Sequence, residues 1–126
     1  MNKQQAQVLV HNLYQAVDNK DIRQLDKLLA EQLRFRIGNH SAETDKSLVL
    51  AANRQFFSSI RSMSHSIEDL IYQEIGHSGI TKISCYGTVD YVRLNGSRHS
   101  TVFSTCLEIQ QGLIKDYLVF ADLSGL

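Results

Sequence analysis

The hydrophobic pattern of the chain changes its period once, near residue 62, and this change limits the folds that the sequence can adopt. Before it, apolar residues recur every three or four positions, as on one face of an α-helix. After it, apolar and polar residues alternate, as in Met63, His65 and Ile67, which are separated by serines. Helices followed by a run of strands are typical of an α+β fold rather than an α/β fold.

The first half of the chain predicts three helices and one short strand. The first helix ends at the polar turn 18–20, and Asp21 begins the second. A short strand over 33–37, a polar loop over 39–46 and a third helix over 47–60 follow. We expect the buried faces of these helices to consist of Ala6, Val10, Leu13, Tyr14 and Val17 in the first, Ile22, Leu25, Leu28 and Leu29 in the second, and Leu48, Ala52, Phe56 and Ser59 or Ile60 in the third.

The second half predicts an antiparallel meander of four strands, which cover 62–75, 80–94, 99–109 and 113–122. Asn-Gly between the second and third strands is a strong hairpin signal. A bulge is expected near Glu68–Asp69, and long strands with a bulge curl. We therefore expect a cone-shaped, curved antiparallel sheet wrapped around the N-terminal helices, with a pocket at its open end.

Length and composition fit one domain over 1–126 and exclude several classes of function. Thirteen Lys plus Arg balance thirteen Asp plus Glu, which argues against binding to nucleic acid or an anionic membrane. The chain has no long apolar run, no metal-ligand spacing, no P-loop and no GxGxxG, so neither a metal nor a nucleotide cofactor is expected. Cys85 and Cys106 are too far apart for a CxxC motif and fit reduced thiols. We expect a soluble, cytoplasmic protein without a cofactor.

Three short stretches carry a resemblance to a known family. They are 17–21 with Leu25, Ala30 and 33–34; Ser64-His65-Ser66-Ile67; and Leu113-Ile114 with Asp122. Over nearly its whole length the chain resembles the SnoaL-like, scytalone-dehydratase-like branch of the nuclear transport factor 2-like superfamily. The resemblance implies a cystatin-like α+β cone. It also implies cofactor-free acid/base chemistry on a hydrophobic cyclic substrate, by isomerisation, dehydration or cyclisation.

His65 and Asp18 are the candidate catalytic residues. His65 occupies an apolar position of its alternating strand, and an imidazole in an apolar pocket is suited to proton transfer near neutral pH. The resemblance implies the same roles, because the matching histidine of scytalone dehydratases is catalytic and the matching aspartate orients a pocket histidine. The alternatives are a hydrogen-bonded structural histidine and an aspartate that solvates the turn at the helix end.

The rest of the ligand pocket is expected to consist of Leu13, Tyr14, Val17, Phe35, Ile37, Phe56, Asp90 and Thr105. Asp90 replaces, within one residue, a second catalytic histidine of scytalone dehydratases, although its strand parity equally fits a solvent-facing side chain. Thr105 falls where relatives carry a polar pocket residue. Ile37 and Leu13 replace the catalytic aspartate and the oxyanion-hole tyrosine of ketosteroid isomerases, which disfavours that activity.

Two functions stay open. One is an enzyme in which Tyr14 and Thr105 position the substrate; the other is a non-catalytic ligand-binding or dimeric association domain of the same fold. The strands between 80 and 122 carry apolar residues on both parities, for instance Tyr86 opposite Ile83. The helices can cover only one face of the sheet, so we expect a homodimer through the other face and a small hydrophobic molecule in the pocket.

Overall fold

The computed structural model describes residues 1–126 and contains three helices and six strands. In chain order they are α1 (Lys3–Asp18), α2 (Ile22–Leu28), β1 (Leu29–Ile37), β2 (Glu43–Asp45), α3 (Lys46–Ser58), β3 (Ile60–Glu74), β4 (Ile80–Arg93), β5 (Arg98–Gln110) and β6 (Leu113–Ala121). The strands form one unclosed sheet in the order β2-β1-β6-β5-β4-β3. The expected α+β cone is confirmed, with the helices packed against the sheet. None of the three helices has the length and apolar character that crossing a membrane requires.

Side-chain caps set where the helices begin. The Asn2 side chain accepts a hydrogen bond from the backbone N–H of Gln5, and the Gln5 side chain accepts one from the backbone of Asn2. Asp21 caps α2 by accepting from the N–H of Gln24, and Asp45 caps α3 in the same way. Local sequence therefore determines these helix starts.

The sheet is mixed rather than antiparallel throughout. Strands β3 to β6 form the predicted antiparallel meander. Strand β1 lies parallel to β6, with Phe35 opposite Tyr117. Strand β2, which falls inside the predicted polar loop, pairs with the outer edge of β1. Parallel neighbours are distant in the sequence, so hydrophobic periodicity does not reveal the pairing.

Two predictions about the first half of the chain are wrong. Strand β1 begins at Leu29, so this residue is buried from a strand and not from α2. The buried face of α3 is rotated by one residue, because Leu48 and Ala52 are exposed and Phe56 is half-buried. The residues of α3 that are buried are Val49, Asn53 and Phe57. Both sets have helical spacing, and only the contact with the sheet distinguishes them.

The predicted bulge lies in β3, where Glu68 is the extra residue between Ile67 and Asp69. Ile67 faces Gly87 of β4, and a Cβ atom at Gly87 would overlap the carbonyl oxygen of Ser66. Glycine is therefore required where the two backbones approach each other. A bulge bends the strand and increases its twist, which curls the sheet around the helices.

Candidate functional site

A cavity lies on the concave side of the sheet. Its empty volume is about 490 Å³ including the open mouth, and the centre of a water-sized molecule fits in about 40 Å³ of it. The residues that border this narrow and mainly apolar cavity are Tyr14, Val17, Phe35, Ile37, Asn53, Phe56, Phe57, Met63, His65, Tyr91, Phe103, Tyr117, Val119, Ala121 and Leu123.

Asp18 and His65 form a hydrogen-bonded pair next to the cavity, which His65 borders. The Nδ1 atom of His65 lies 2.6 Å from Oδ1 of Asp18, and the backbone N–H of His65 donates to Oδ2 at 2.9 Å. The side chain of His65 is 9% exposed, and that of Asp18 is 22% exposed. Because an ionised carboxylate only accepts hydrogen bonds, the ring proton lies on Nδ1 and the Nε2 atom is left free.

Two elements bring this pair together. Asp18 is the last residue of α1, and α1 packs against β3, which carries His65. His65 borders the cavity, whereas Asp18 does not. The Asp18 carboxylate thus contacts His65 from outside the cavity. It fixes the tautomer of the imidazole and the position of the His65 backbone.

Aromatic rings enclose the imidazole. The ring centroid of Tyr14 lies 4.4 Å from that of His65, with 34° between the planes. Phe103 meets the imidazole edge to face, with the centroids 4.9 Å apart and an interplanar angle of 85°. Such packing restricts rotation of the ring, so His65 is held in one orientation.

Tyr14 and Thr105 bind each other rather than facing a ligand together. Their hydroxyls form a short hydrogen bond in the core, and Thr105 has no exposed surface. Burial raises the pKa of Tyr14, so its hydroxyl stays protonated. The structure places Thr105 outside the cavity. Tyr14 borders the cavity, but its hydroxyl is already engaged.

The predicted pocket residues therefore separate into two groups. Leu13 is fully buried in the core, since one helical position turns a side chain by about 100° from that of Tyr14. Asp90 is exposed on the outer face of the sheet, where it accepts a hydrogen bond from Ser100. Neither lines the cavity. The predicted residues that do border it, besides His65, are Tyr14, Val17, Phe35, Ile37 and Phe56.

Three polar residues of the cavity were missed by the sequence reasoning. Tyr91 lies two residues after Val89 in β4, so both side chains point to the inner face of the sheet. This alternation would have allowed Tyr91 to be predicted as a cavity residue. Tyr117 follows a register shift between β5 and β6, and Asn53 belongs to the buried face of α3 that was misassigned. Asn53 donates a hydrogen bond of 2.9 Å to the carbonyl of Val49, which leaves its side-chain oxygen available as an acceptor.

Many solved structures share this fold, although their sequences differ widely from this one. A candidate dehydratase of the NTF2-like family from Streptomyces avermitilis superposes with a TM-score of 0.84 at 10% identity, covering 95% of each chain. A candidate polyketide cyclase from Xanthomonas campestris pv. campestris has a TM-score of 0.72 at 15% identity and covers 99% of this chain and 96% of that one. An LEH-like epoxide hydrolase from M. tuberculosis has a TM-score of 0.71 at 14% identity, covering 96% and 85%.

The comparison confirms the nuclear transport factor 2-like fold that the sequence resemblance implied. No family sequence model matches the chain, and no curated protein matches it. At these identities the likeness concerns the fold alone, because one fold hosts unrelated activities. The activity of this protein depends on the residues of its own site.

Proposed function

We propose that the protein is a cofactor-free enzyme that transfers protons on a small, uncharged ring compound bound in the cavity. His65 is the general acid/base, and Asp18 is the positioning residue that orients it. The observation that supports this proposal is the hydrogen bond between Asp18 and His65, whose imidazole borders a mainly apolar cavity.

The proposed chemistry uses both ring nitrogens of His65. The free Nε2 accepts a proton from the ligand, and the resulting imidazolium is stabilised by the Asp18 carboxylate at Nδ1. Nε2 then returns the proton. Delivery to another ligand carbon is an isomerisation, and delivery to a departing hydroxyl is a dehydration.

The lining of the cavity supports an uncharged ligand. No lysine, arginine, aspartate or glutamate borders it. A charged ligand would lose its hydration without gaining an ionic partner, which is costly. The narrow, largely aromatic and aliphatic walls suit a flat ring, which gains affinity by burying apolar surface.

A non-catalytic ligand-binding protein is the second candidate function. The observation that favours it is that His65 is the only carboxylate, imidazole or amine side chain at the cavity wall. In that case the Asp18–His65 pair would serve to hold α1 against β3.

Conservative variants separate the two candidates. A thermal-shift screen of uncharged ring compounds identifies ligands, since a ligand that binds the native state raises its melting temperature. His65→Gln is expected to preserve folding and ligand binding and to lower turnover by about 10²–10⁴-fold, the contribution of a general acid/base. Asp18→Asn is expected to lower turnover by a smaller factor, because the tautomer of His65 is no longer fixed.

Asp90→Asn is the matched control. It makes the same chemical change as Asp18→Asn, but on the outer face of the sheet. Turnover should therefore stay at the wild-type level. Full turnover in His65→Gln would contradict the enzyme proposal. A loss of several kcal/mol of stability in His65→Gln with activity intact would instead make the pair structural.

A further inference from the structure

Asn53 is a polar residue on the buried face of α3, and it also borders the cavity. It is 7% exposed, and its neighbours on that face, one turn before and one turn after, are Val49 and Phe57. The other buried polar residues apart from the tyrosines are Thr81 and Thr105, and neither borders the cavity. Asparagine is a poor helix former and loses hydration when it is buried, so an apolar residue would suit this position better. Packing alone therefore does not explain Asn53.

One end of the Asn53 amide is held by the helix itself. Its Nδ2 atom donates a hydrogen bond of 2.9 Å to the backbone carbonyl of Val49. A carbonyl oxygen only accepts hydrogen bonds, so nitrogen is the amide atom on that side and Oδ1 is the atom on the other. The Val49 carbonyl does not depend on this bond, since a carbonyl inside a helix accepts the backbone N–H four residues later. The bond therefore serves to orient the amide.

The Oδ1 atom of Asn53 has no partner in the protein and faces the cavity. The only hydrogen bond that its side chain makes is the one through Nδ2. The fully enclosed side-chain atoms without a partner are Nε of Arg36 and Nε2 of His99, so Oδ1 still touches open space. Val49, on the nitrogen side of the amide, lies outside the cavity, whereas Phe57 on the next turn borders it. The oxygen end of the amide is therefore the end turned to the cavity.

An amide oxygen that faces a cavity can accept a hydrogen bond from a ligand. The donor has to be uncharged, because no aspartate or glutamate borders the cavity and an ammonium group would lose its hydration there without gaining an ionic partner. A hydroxyl group is a donor of this kind. An analogue without the donor is rejected, since the buried oxygen of the protein then stays unpaired.

We propose that Asn53 is a specificity-determining residue whose Oδ1 atom accepts a hydrogen bond from a hydroxyl group of the ligand. The cavity then selects uncharged ring compounds that carry a hydroxyl over those that do not. The inference rests on the proposed function in that it places the ligand in the same cavity, but it concerns the selection of the ligand and not proton transfer by His65.

Phenol and toluene test the inference, because they have nearly the same shape and differ in a hydroxyl and a methyl group. The measured quantity is the affinity for phenol divided by the affinity for toluene. Asn53→Leu replaces the amide by an apolar group of similar size and should lower this ratio by about tenfold, through weaker binding of phenol. Gln55→Leu is the matched control, because it also replaces an amide by leucine but on the exposed face of α3, and it should leave the ratio unchanged.

The NMR signals of the Asn53 side-chain amide give a second readout, because a hydrogen bond to Oδ1 polarises the whole amide group. Through-bond assignment identifies these signals in the wild-type protein. We expect phenol to shift them more than toluene does. The comparison uses the wild type alone, so it decides the question even if Asn53→Leu does not fold.

Several results would overturn the inference. They are an unchanged affinity ratio in Asn53→Leu, equal NMR shifts from phenol and toluene, and no binding of phenol at millimolar concentration. Anisole keeps the oxygen of phenol but lacks the donor hydrogen, so it should not shift the amide signals as phenol does. Asn53-dependent binding of anisole as tight as that of phenol would show that Asn53 acts as a donor, which would also overturn the inference.

The test is independent of turnover. His65→Gln leaves Asn53 in place, so it should keep the wild-type affinity ratio whether or not it abolishes catalysis. A ratio that depends on Asn53 without any turnover would contradict the proposed enzyme and support this inference. Turnover that depends on His65, together with an unchanged ratio in Asn53→Leu, would do the reverse.

Discussion

At the level of single residues, Asp18 occupies a position that helix formation does not favour. It is the last residue of α1, and a negative charge at a helix C-terminus opposes the helix dipole by about 0.3–1 kcal/mol. The two hydrogen bonds from His65 offset this cost. A local disadvantage that a long-range contact compensates is typical of a functional site, and it supports the proposed role of the pair.

The hydrogen bond between Tyr14 and Thr105 leads to a prediction about stability. Tyr14→Phe and Thr105→Val each leave one buried hydroxyl without a partner, so each should lower the free energy of unfolding by about 1–3 kcal/mol. The double variant removes both hydroxyls and should lose much less than the sum of the two single variants. Urea unfolding of the wild type, the two single variants and the double variant measures the interaction energy between the two hydroxyls. Additive losses would show that the two hydroxyls do not interact.

The raised pKa of Tyr91 leads to a prediction about the stability of the protein at alkaline pH. Its ordinary pKa of 10.0 rises to about 12 in the folded protein because of burial and the nearby Asp18 charge. A raised pKa means that the folded state holds the proton more tightly than the unfolded state. The resulting stability is complete below pH 10 and is lost as the pH rises through 12. Tyr91→Phe should weaken the decline in unfolding free energy between pH 10 and 12, measured by urea titration at each pH. If the unfolding free energy of Tyr91→Phe declined as steeply as that of the wild type, Tyr91 would not be the group responsible for the alkaline loss of stability.

At the level of elements, the bulge in β3 depends on Gly87. A side chain at this position would overlap the backbone of β3 at Ser66, and a backbone clash cannot be relieved by rotating a side chain. Gly87→Ala is therefore expected to lower the free energy of unfolding by about 3 kcal/mol, at the upper end of overpacking effects.

Gly112→Ala is the control for this prediction. Gly112 lies in a turn with φ of +76° and has open space around its missing Cβ, so its variant reports conformational strain alone, about 1–2 kcal/mol. Thermal or urea unfolding of both variants measures the difference. A smaller loss for Gly87→Ala than for Gly112→Ala would mean that β3 and β4 can separate at little cost.

At the level of the whole molecule, the outer face of the sheet carries an apolar patch without a cover. Tyr86 of β4, Ser104 of β5 and Phe120 of β6 lie side by side, and the neighbouring Val102 is 72% exposed. Exposed apolar patches on a regular sheet commonly mark interfaces. We propose that two copies of the chain associate through this face.

Light scattering tests the dimer. Twice the chain mass of 14.3 kDa is expected at micromolar concentration. Val102→Glu should shift the population toward the monomer, because it would bury a charge without a partner. Leu48→Glu, on the exposed face of α3, should leave the mass unchanged. A monomeric wild-type protein would refute association through this face.

Much of the fold could be predicted from the sequence, because the relevant signals are local. The change of period near residue 62 separates the helical part from the meander, and the bulge at Glu68 and the cap at Asp21 follow from a few neighbouring residues. Strand parity also indicates which way a side chain points, as it does for His65. The resemblance to a known family drew attention to Asp18 and His65, which are 47 residues apart in sequence.

The remaining features depend on which elements pack together. Helical spacing allowed two faces for α3, and contact with the sheet selected the one that contains Asn53. The parallel pairing of β1 with β6 placed Tyr117 on the cavity wall beside Phe35. A long-range contact also paired Thr105 with Tyr14. Periodicity describes one element at a time, whereas a hydrogen bond or a cavity requires groups from several elements to meet, and that meeting is determined by packing in three dimensions.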